Sequence, residues 1–132
     1  MRYRHVRHRY EMVVTSGRSV AWQAADLAVV FASPRWRPNV DVCETSRAIT
    51  VTVELAGVEP DAVEVLLYED VLVVQGEREL TSCGDDGVYH EVGIRRGPFR
   101  IEVPLVVAVE PTTVEVRQQQ GLLRIVLPKA ER

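Results

Sequence analysis

Lysine is almost absent from the chain, because Lys129 is the single one among 132 residues. A nucleotide-binding P-loop has the pattern G-x-x-x-x-G-K-[ST], in which the lysine contacts the phosphates. Lys129 follows a proline near the end of the sequence and does not supply that pattern. The sequence therefore gives no support to a mechanism driven by ATP hydrolysis.

Cysteine and histidine are also scarce. Cys43 and Cys83 belong to no C-x-x-C pair, so zinc or redox chemistry has little support; we interpret them as free thiols, one of them buried, with a single disulfide as the alternative. His5 and His8 form an H-x-x-H pair without a third ligand nearby, and His90 lies in a polar loop without an oxyanion motif. We predict no catalytic, cofactor-binding or metal-binding residue, and hence no enzyme.

Long apolar runs are absent as well, since none approaches the ~18 residues that a helix needs to cross a bilayer. The first ten residues are basic, but no apolar stretch follows them directly, as it would in a secretory signal peptide. A length of 132 residues corresponds to about one domain. We therefore expect a cytoplasmic protein with no membrane partner.

The net charge of −3 is unevenly distributed along the chain. Residues 1–38 contain seven arginines and two acidic residues, a net charge of +5, whereas residues 39–132 contain nine basic and seventeen acidic residues, a net charge of −8. A basic segment with interleaved tyrosines suits nucleic acid, but the acidic remainder would repel a phosphate backbone. The alternative is that the basic segment lies on an acidic protein surface, its own or a partner's.

Residues 1–38 also differ in pattern from the rest of the chain, and we treat them as an N-terminal arm. Apolar residues recur at helical spacing within 19–31, and two prolines end that pattern. The arm is therefore predicted to be partly helical or disordered. The positions that carry the helical spacing are Val20, Ala24, Leu27 and Phe31.

From residue 39 the apolar period changes to two, which is the period of β-strands. The clearest case is 49–55, where every second residue is apolar. Short strands separated by turn residues are typical of an all-β sandwich, and we place that domain at 39–129. The other predicted strands are 62–69, 71–77 (apolar on both faces and hence central), 98–107, 114–119 and 122–128, with strand character at 88–92 inside the long connection 78–97.

Three stretches stand in order within residues 36–129: WRPNVDVCET, VELAGVEPDAVEVLLYEDVLVVQGERE and VEVRQQQGLLRIVLPK. Together they resemble the α-crystallin domain of the small heat-shock proteins. The resemblance implies an immunoglobulin-like antiparallel β-sandwich and an ATP-independent holdase, which binds exposed apolar segments of unfolding proteins and limits their aggregation. The alternatives are a cochaperone or scaffold that binds one defined partner, or nucleic-acid binding through the arm.

The resemblance implies two sites in the sandwich. One is a homodimer contact, in which the segment 86–93 pairs reciprocally with an open sheet edge of a second subunit. The other is an apolar groove flanked by strands 62–68 and 113–118, which is empty, filled by an arm segment, or filled by clients. The candidate exchange residues are Val88, Tyr89, His90, Glu91 and Val92. The candidate groove residues are Val63, Val65, Leu67, Val114 and Val116, which are otherwise ordinary core.

The arm itself is a third candidate site, because one short helix cannot bury all of its apolar residues. Its apolar residues would bind unfolding clients, or other dimers when no client is present, unless they pack on their own domain. The candidate client-binding residues are Val13, Val14, Val20, Trp22, Leu27, Val30 and Phe31.

The last strand and the tail complete the comparison. Leu123, Ile125 and Leu127 are expected to face the core. Residues 130–132 are interpreted as a vestigial tail, because they lack the Ile-x-Ile/Val segment with which family members join their dimers. We therefore expect a dimer, or a modest higher oligomer built through the arm. The chain also departs from the family at two positions, with Ile101 where an arginine is frequent and Val106 where a proline is usual.

Overall fold

The computed structural model describes residues 2–5 and 35–131, which form two four-stranded β-sheets. This confirms the predicted β-sandwich. The strands are β1 (Arg2–His5), β2 (Val40–Glu44), β3 (Ala48–Glu54), β4 (Val63–Leu67), β5 (Val71–Arg78), β6 (Gly97–Pro104), β7 (Glu115–Gln119) and β8 (Leu122–Pro128). Short 3-10 turns at Pro60–Ala62 and Pro111–Thr113 precede β4 and β7.

The strand order is β1-β4-β5-β6 in the first sheet and β2-β3-β8-β7 in the second. Every pairing within these sheets is antiparallel except one, because β1 runs parallel to β4. The strand β5 lies between two neighbours, and its residues 71–74 are buried on both faces, so its predicted central position is confirmed.

The core lies between the two sheets and is built from alternate residues of each strand. In β3, the apolar residues at every second position are buried while the threonines between them are half-buried. The predicted core residues of β8 are confirmed, since Leu123, Ile125 and Leu127 have no exposed surface. Each buried Leu or Ile side chain contributes roughly 1.5–3 kcal/mol of transfer free energy, which is the main force that holds the sheets together.

The sequence also predicts the last hairpin correctly. Gln120 and Gly121 connect β7 to β8, with φ values of +54° and +78°. A two-residue turn with both φ values positive matches the twist of antiparallel strands. It fixes the register in which Gln119 pairs with Leu122.

Several details differ from the sequence prediction. The strand predicted at 98–107 ends at Pro104, because proline has no N–H to continue the ladder. The strand β2 was not separately predicted, and Cys43 within it is exposed, as is Cys83, so neither free cysteine is buried. The predicted helix within 19–31 lies outside the described residues.

No helix in the described ranges is long and apolar enough to span a membrane.

Candidate protein-interaction sites

The connection between β5 and β6, residues 79–96, contains the segment for which the sequence predicts strand exchange. Residues 88–92 form no strand in the single chain, so the expected strand character is not realised there. The physical reason is that no described strand lies beside this segment to complete a ladder. Its apolar side chains face solvent, and Val88 and Val92 are 74% and 62% exposed. The five candidate exchange residues are thus together on the surface, available for a partner.

Arg78 fixes the base of this loop. Its Nε and Nη2 atoms both donate to the carbonyl oxygen of Arg95, at 2.8 and 2.6 Å, and Nη1 donates to that of Ala56 at 3.2 Å. Its guanidinium also lies 4.4 Å from the centre of the Trp36 ring. Because Arg78 is buried, these contacts replace water and hold the two ends of the loop beside each other.

We expect Arg78→Met to destabilise the domain by about 2–4 kcal/mol, because it removes these donors and leaves two carbonyl oxygens without them. Urea unfolding at fixed protein concentration measures the effect. Arg96→Met is the matched control, since Arg96 lies in the same loop and is exposed. That control should change the free energy of unfolding by less than about 0.5 kcal/mol. Equal effects of the two substitutions would contradict this role of Arg78.

The strand β2 forms one outer edge of the second sheet. It pairs with β3 on one side, and no strand of the described chain pairs with its other side. Val42 lies opposite the buried Val51 in the register, yet it is 53% exposed because nothing described covers it at this edge. An open strand edge with an exposed apolar side chain is suited to pairing with another strand.

The predicted groove residues lie on β4, on β7 and at the position just before β7. Val63, Val65 and Leu67 point inward from β4 and belong to the buried core. Val114 and Val116 are half-buried and pack against that core from the second sheet. The three β4 residues are therefore part of the hydrophobic core. The sequence analysis gave this as the alternative to a role in lining the groove.

The strand β1 occupies the outer edge of β4 beside these residues. Tyr3 packs against the core, and its hydroxyl donates a 3.0 Å hydrogen bond to the carbonyl oxygen of Pro111, in the turn before β7. Partial burial raises the pKa of the Tyr3 phenol above its usual value, because the charged form loses water. Sequence reasoning missed β1, although the alternation of basic residues with Tyr and Val was its available signal.

The face of the first sheet that points away from the core carries a polar chain across three strands. Gln75 Nε2 donates to Glu64 Oε1 at 2.9 Å, and Arg100 Nη1 donates to Gln75 Oε1 at 2.6 Å. Arg100 also forms a 2.9 Å ion pair with Glu102.

The charge of Arg100 also affects a neighbouring arginine. Desolvation of Arg35, together with the nearby charge of Arg100, lowers the pKa of Arg35. Ile101 faces the other way and is buried in the core.

The remaining predicted residues give no chemical site. Within residues 2–5 and 35–131, no group of three His, Cys, Asp or Glu side chains is placed to hold a metal ion. His90, Glu91 and Cys83 are exposed in the long loop. The arm residues predicted to bind clients, from Val13 to Phe31, lie outside the described residues.

Two mostly antiparallel sheets joined in this order, with a long exposed loop between β5 and β6, define an α-crystallin-type β-sandwich. The model of the Hsp20/alpha crystallin family matches residues 41–132. The chain therefore belongs to this family.

Individual relatives agree with this assignment. Small heat shock protein C2 of Rickettsia felis is 26% identical over 94 residues, which are 71% of this chain and 61% of that protein. Heat shock protein 16.0 from Schizosaccharomyces pombe has a TM-score of 0.66 at 27% identity, over 74% of this chain and 90% of that one. For hspA from Xanthomonas axonopodis the TM-score is 0.65 at 25% identity, over 73% and 96%. The chain thus spans about three fifths of the Rickettsia relative.

Proposed function

We propose that this protein is an ATP-independent holdase, which binds exposed apolar segments of unfolding proteins and limits their aggregation. Membership of the Hsp20/alpha crystallin family is the observation that carries the proposal. The absence of a P-loop pattern from the sequence agrees with it, because a holdase binds its clients by mass action and does not hydrolyse ATP.

The N-terminal arm is the proposed client-binding site. Its apolar residues offer contacts worth about 25 cal/mol per Å² of buried apolar surface, without demanding a particular client sequence. The acidic sandwich, with a net charge of −8 over residues 39–132, keeps the loaded protein in solution by repelling other copies. An arm that binds clients and a sandwich that keeps the complex soluble suit a promiscuous holdase better than a scaffold for one partner.

The expected result of Trp22→Ser/Leu27→Ser/Phe31→Ser is a loss of most of the suppression of client aggregation. These substitutions remove three large apolar side chains from the arm. Light scattering of a heat-labile client, with and without ATP, measures the effect. The unchanged protein should keep scattering low equally well in both conditions.

Matched serine substitutions at the small arm residues Ala24, Ala25 and Ala28 serve as the control, since they remove little apolar surface. If the triple variant suppresses aggregation as well as this control, the arm is not the client site. If the unchanged protein fails to suppress aggregation of any client, or requires ATP, the holdase proposal itself is wrong.

We further propose that two chains form a dimer by exchanging the segment 86–93. The exposure of Val88 and Val92, and the open edge of β2 with Val42 beside it, support this arrangement. Pairing the segment with the β2 edge of a second subunit would satisfy the backbone groups of both. A reciprocal exchange of this kind has two-fold symmetry and closes at two subunits.

A further inference from the structure

The first sheet carries a second apolar cluster on its outer face, the face turned away from the core. In β4 and β5, residues between the core positions are apolar as well, and they form a cluster separate from the core. Its members are only 1–8% exposed, so other atoms must lie over this face. They are Leu66, Tyr68, Val71 and Val73.

No strand of the described chain lies over the outer face. The strands outside the first sheet belong to the second sheet, which packs against the opposite face across the core. The connection 79–96 leaves β5 at the end away from the cluster and is exposed along nearly its whole length. Residues 6–34, between the two described ranges, are the part of the chain that is left to cover this face.

The direction of the chain on either side of residues 6–34 agrees with such a cover. The strand β1 pairs with β4 at one edge of the first sheet, and Trp36 forms a bridge with Phe99 of β6 at the other edge. Both pairings are parallel, and β4 and β6 run in the same direction because each is antiparallel to β5. A connection between parallel segments of one sheet crosses over a face of that sheet. The core occupies the inner face, so the outer face is the path that remains.

The covered area has a clear boundary. Val73 of β5 and Glu102 of β6 lie opposite each other in the register and so share the outer face. Val73 is 1% exposed, whereas the side chain of Glu102 is 47% exposed. On β4 even Glu64 is buried on this face. The cover therefore lies over β4 and β5 and ends before β6.

The apolar segment of the arm has the right dimensions for this area. The strand β5 has 8 residues and is about 26 Å long. A helix over residues 19–31 would be about 20 Å long, and its apolar stripe would face the sheet. Residues 6–18 are then available to lead from the edge of β4 to the start of that helix.

We propose that the outer face of the first sheet, over β4 and β5, is the docking surface for the arm segment 19–31 of the same chain. This surface is distinct from the groove, because the candidate groove residues of β4 point the other way, into the core. The docking surface does not depend on the holdase function. One consequence does rest on it: Leu27 and Phe31 belong both to the stripe and to the proposed client-binding site, so the sheet and a client compete for them.

A single thiol on the sheet of the full-length chain measures the cover. Cys43 and Cys83 are both exposed and are first replaced by serine. Val73→Cys should then react with a maleimide at least about 100-fold more slowly than Glu102→Cys, because a buried thiol reacts only when its cover opens. Glu102 is the matched control, since it lies opposite Val73 on the same face and is exposed.

Substitutions in the arm identify what covers the thiol. Leu27→Ser/Phe31→Ser should raise the reaction rate at position 73 at least about tenfold, because the stripe loses its two largest apolar side chains. Ala25→Ser/Ala28→Ser, at positions outside the stripe, should change that rate by less than about twofold.

Two further reporters separate release of the arm from other changes. Leu66→Cys, opposite Val73 on β4, should show the same slow rate and the same increase, which makes a local defect at position 73 an insufficient explanation. Val74→Cys lies on the core face of β5 and should stay unreactive in every arm variant, which excludes general unfolding.

Three outcomes would overturn the docking surface. Equal rates at positions 73 and 102 would mean that the outer face is open. A slow rate at position 73 that Leu27→Ser/Phe31→Ser does not raise would mean that another part of the chain covers it. A rate at position 73 that rises on dilution of the protein would mean that a second copy of the chain covers it.

Addition of a heat-labile client without free cysteines tests the competition. The client should accelerate the reaction at position 73, and an unchanged rate while its aggregation is suppressed would show that sheet and client do not compete. A protected thiol without suppression of client aggregation would overturn the holdase function and support the docking surface. Suppression of aggregation with equal rates at positions 73 and 102 would overturn the docking surface alone.

Discussion

Gly76→Ala is expected to destabilise the sandwich by about 4 kcal/mol or more, which is at the upper end for a single substitution. Gly76 lies in the central strand β5, where it pairs with Val63 on one side and Phe99 on the other. A Cβ at this position would overlap the carbonyl oxygen of Ala62 and would lie 2.8 Å from the Phe99 ring. The carbonyl belongs to the backbone and cannot turn aside, so the strands themselves must separate.

Thermal unfolding at fixed protein concentration measures this effect, and a fall in Tm of about 15 °C or more is expected for a domain of this size. The fixed concentration is necessary because the proposed dimer would contribute to the apparent stability. Thr81→Ala is the control, since Thr81 is exposed in the loop and lies outside the segment 86–93 proposed for the dimer contact. If the two substitutions lower Tm equally, the close approach at Gly76 does not limit stability.

At Gly76 the strand could be predicted from the sequence, but the atoms that lie close to the glycine could not. A glycine inside a strand pattern often marks a close approach of another group, and the strand at 71–77 is evident from its apolar residues. The identity of the approaching atoms depends on how β4 and β6 flank β5. That arrangement is a property of the tertiary structure and has no local signal.

Strands that bury one face were the easiest to predict. In β3 and β8 every second residue is buried in the core and is apolar, and the residues between them face away from the core and are mostly polar. The alternation of Val51, Thr52 and Val53 records this directly. The final hairpin is also evident, because the strands predicted at 114–119 and 122–128 leave only Gln120 and Gly121 between them, and both have the positive φ that such a turn needs.

The strand β1 was not predictable in the same way. Its one described side chain, Tyr3, enters the core, and the segment pairs with β4 about sixty residues later in the sequence. A four-residue strand gives too short a pattern to separate from an irregular basic segment. The groove beside it was predicted from the family resemblance, with an arm segment as one of the alternatives for its occupant, and the structure pairs Arg2–His5 with β4.

The segment 88–92 is the opposite case, in which the sequence has a strand pattern that the single chain does not use. Alternation of Val88, His90 and Val92 marks one face of a strand, yet a strand forms only where a neighbour completes its hydrogen bonds. A pattern in one chain does not specify whether that neighbour belongs to the same molecule. The proposed dimer provides the neighbour from a second molecule.

Val88→Asp/Val92→Asp is therefore expected to convert the dimer into a monomer, with the dissociation constant raised at least about 100-fold. Both side chains are largely exposed in the single chain and become covered if the segment pairs with β2 of a partner. A carboxylate that loses water without gaining a cation costs several kcal/mol, and the double variant introduces two. Sedimentation equilibrium over a range of protein concentrations measures the dissociation constant.

The position of the charge, rather than charge itself, must account for the effect. Thr81→Asp places one carboxylate in the same loop outside the exchanged segment, and it should leave the dimer intact, whereas Val88→Asp alone should weaken it. Val42→Asp tests the other side of the contact, because the exposed Val42 lies on β2 and becomes covered in the same dimer. A dimer that persists with unchanged affinity in the Val88→Asp/Val92→Asp and Val42→Asp proteins would mean that two chains associate through another surface.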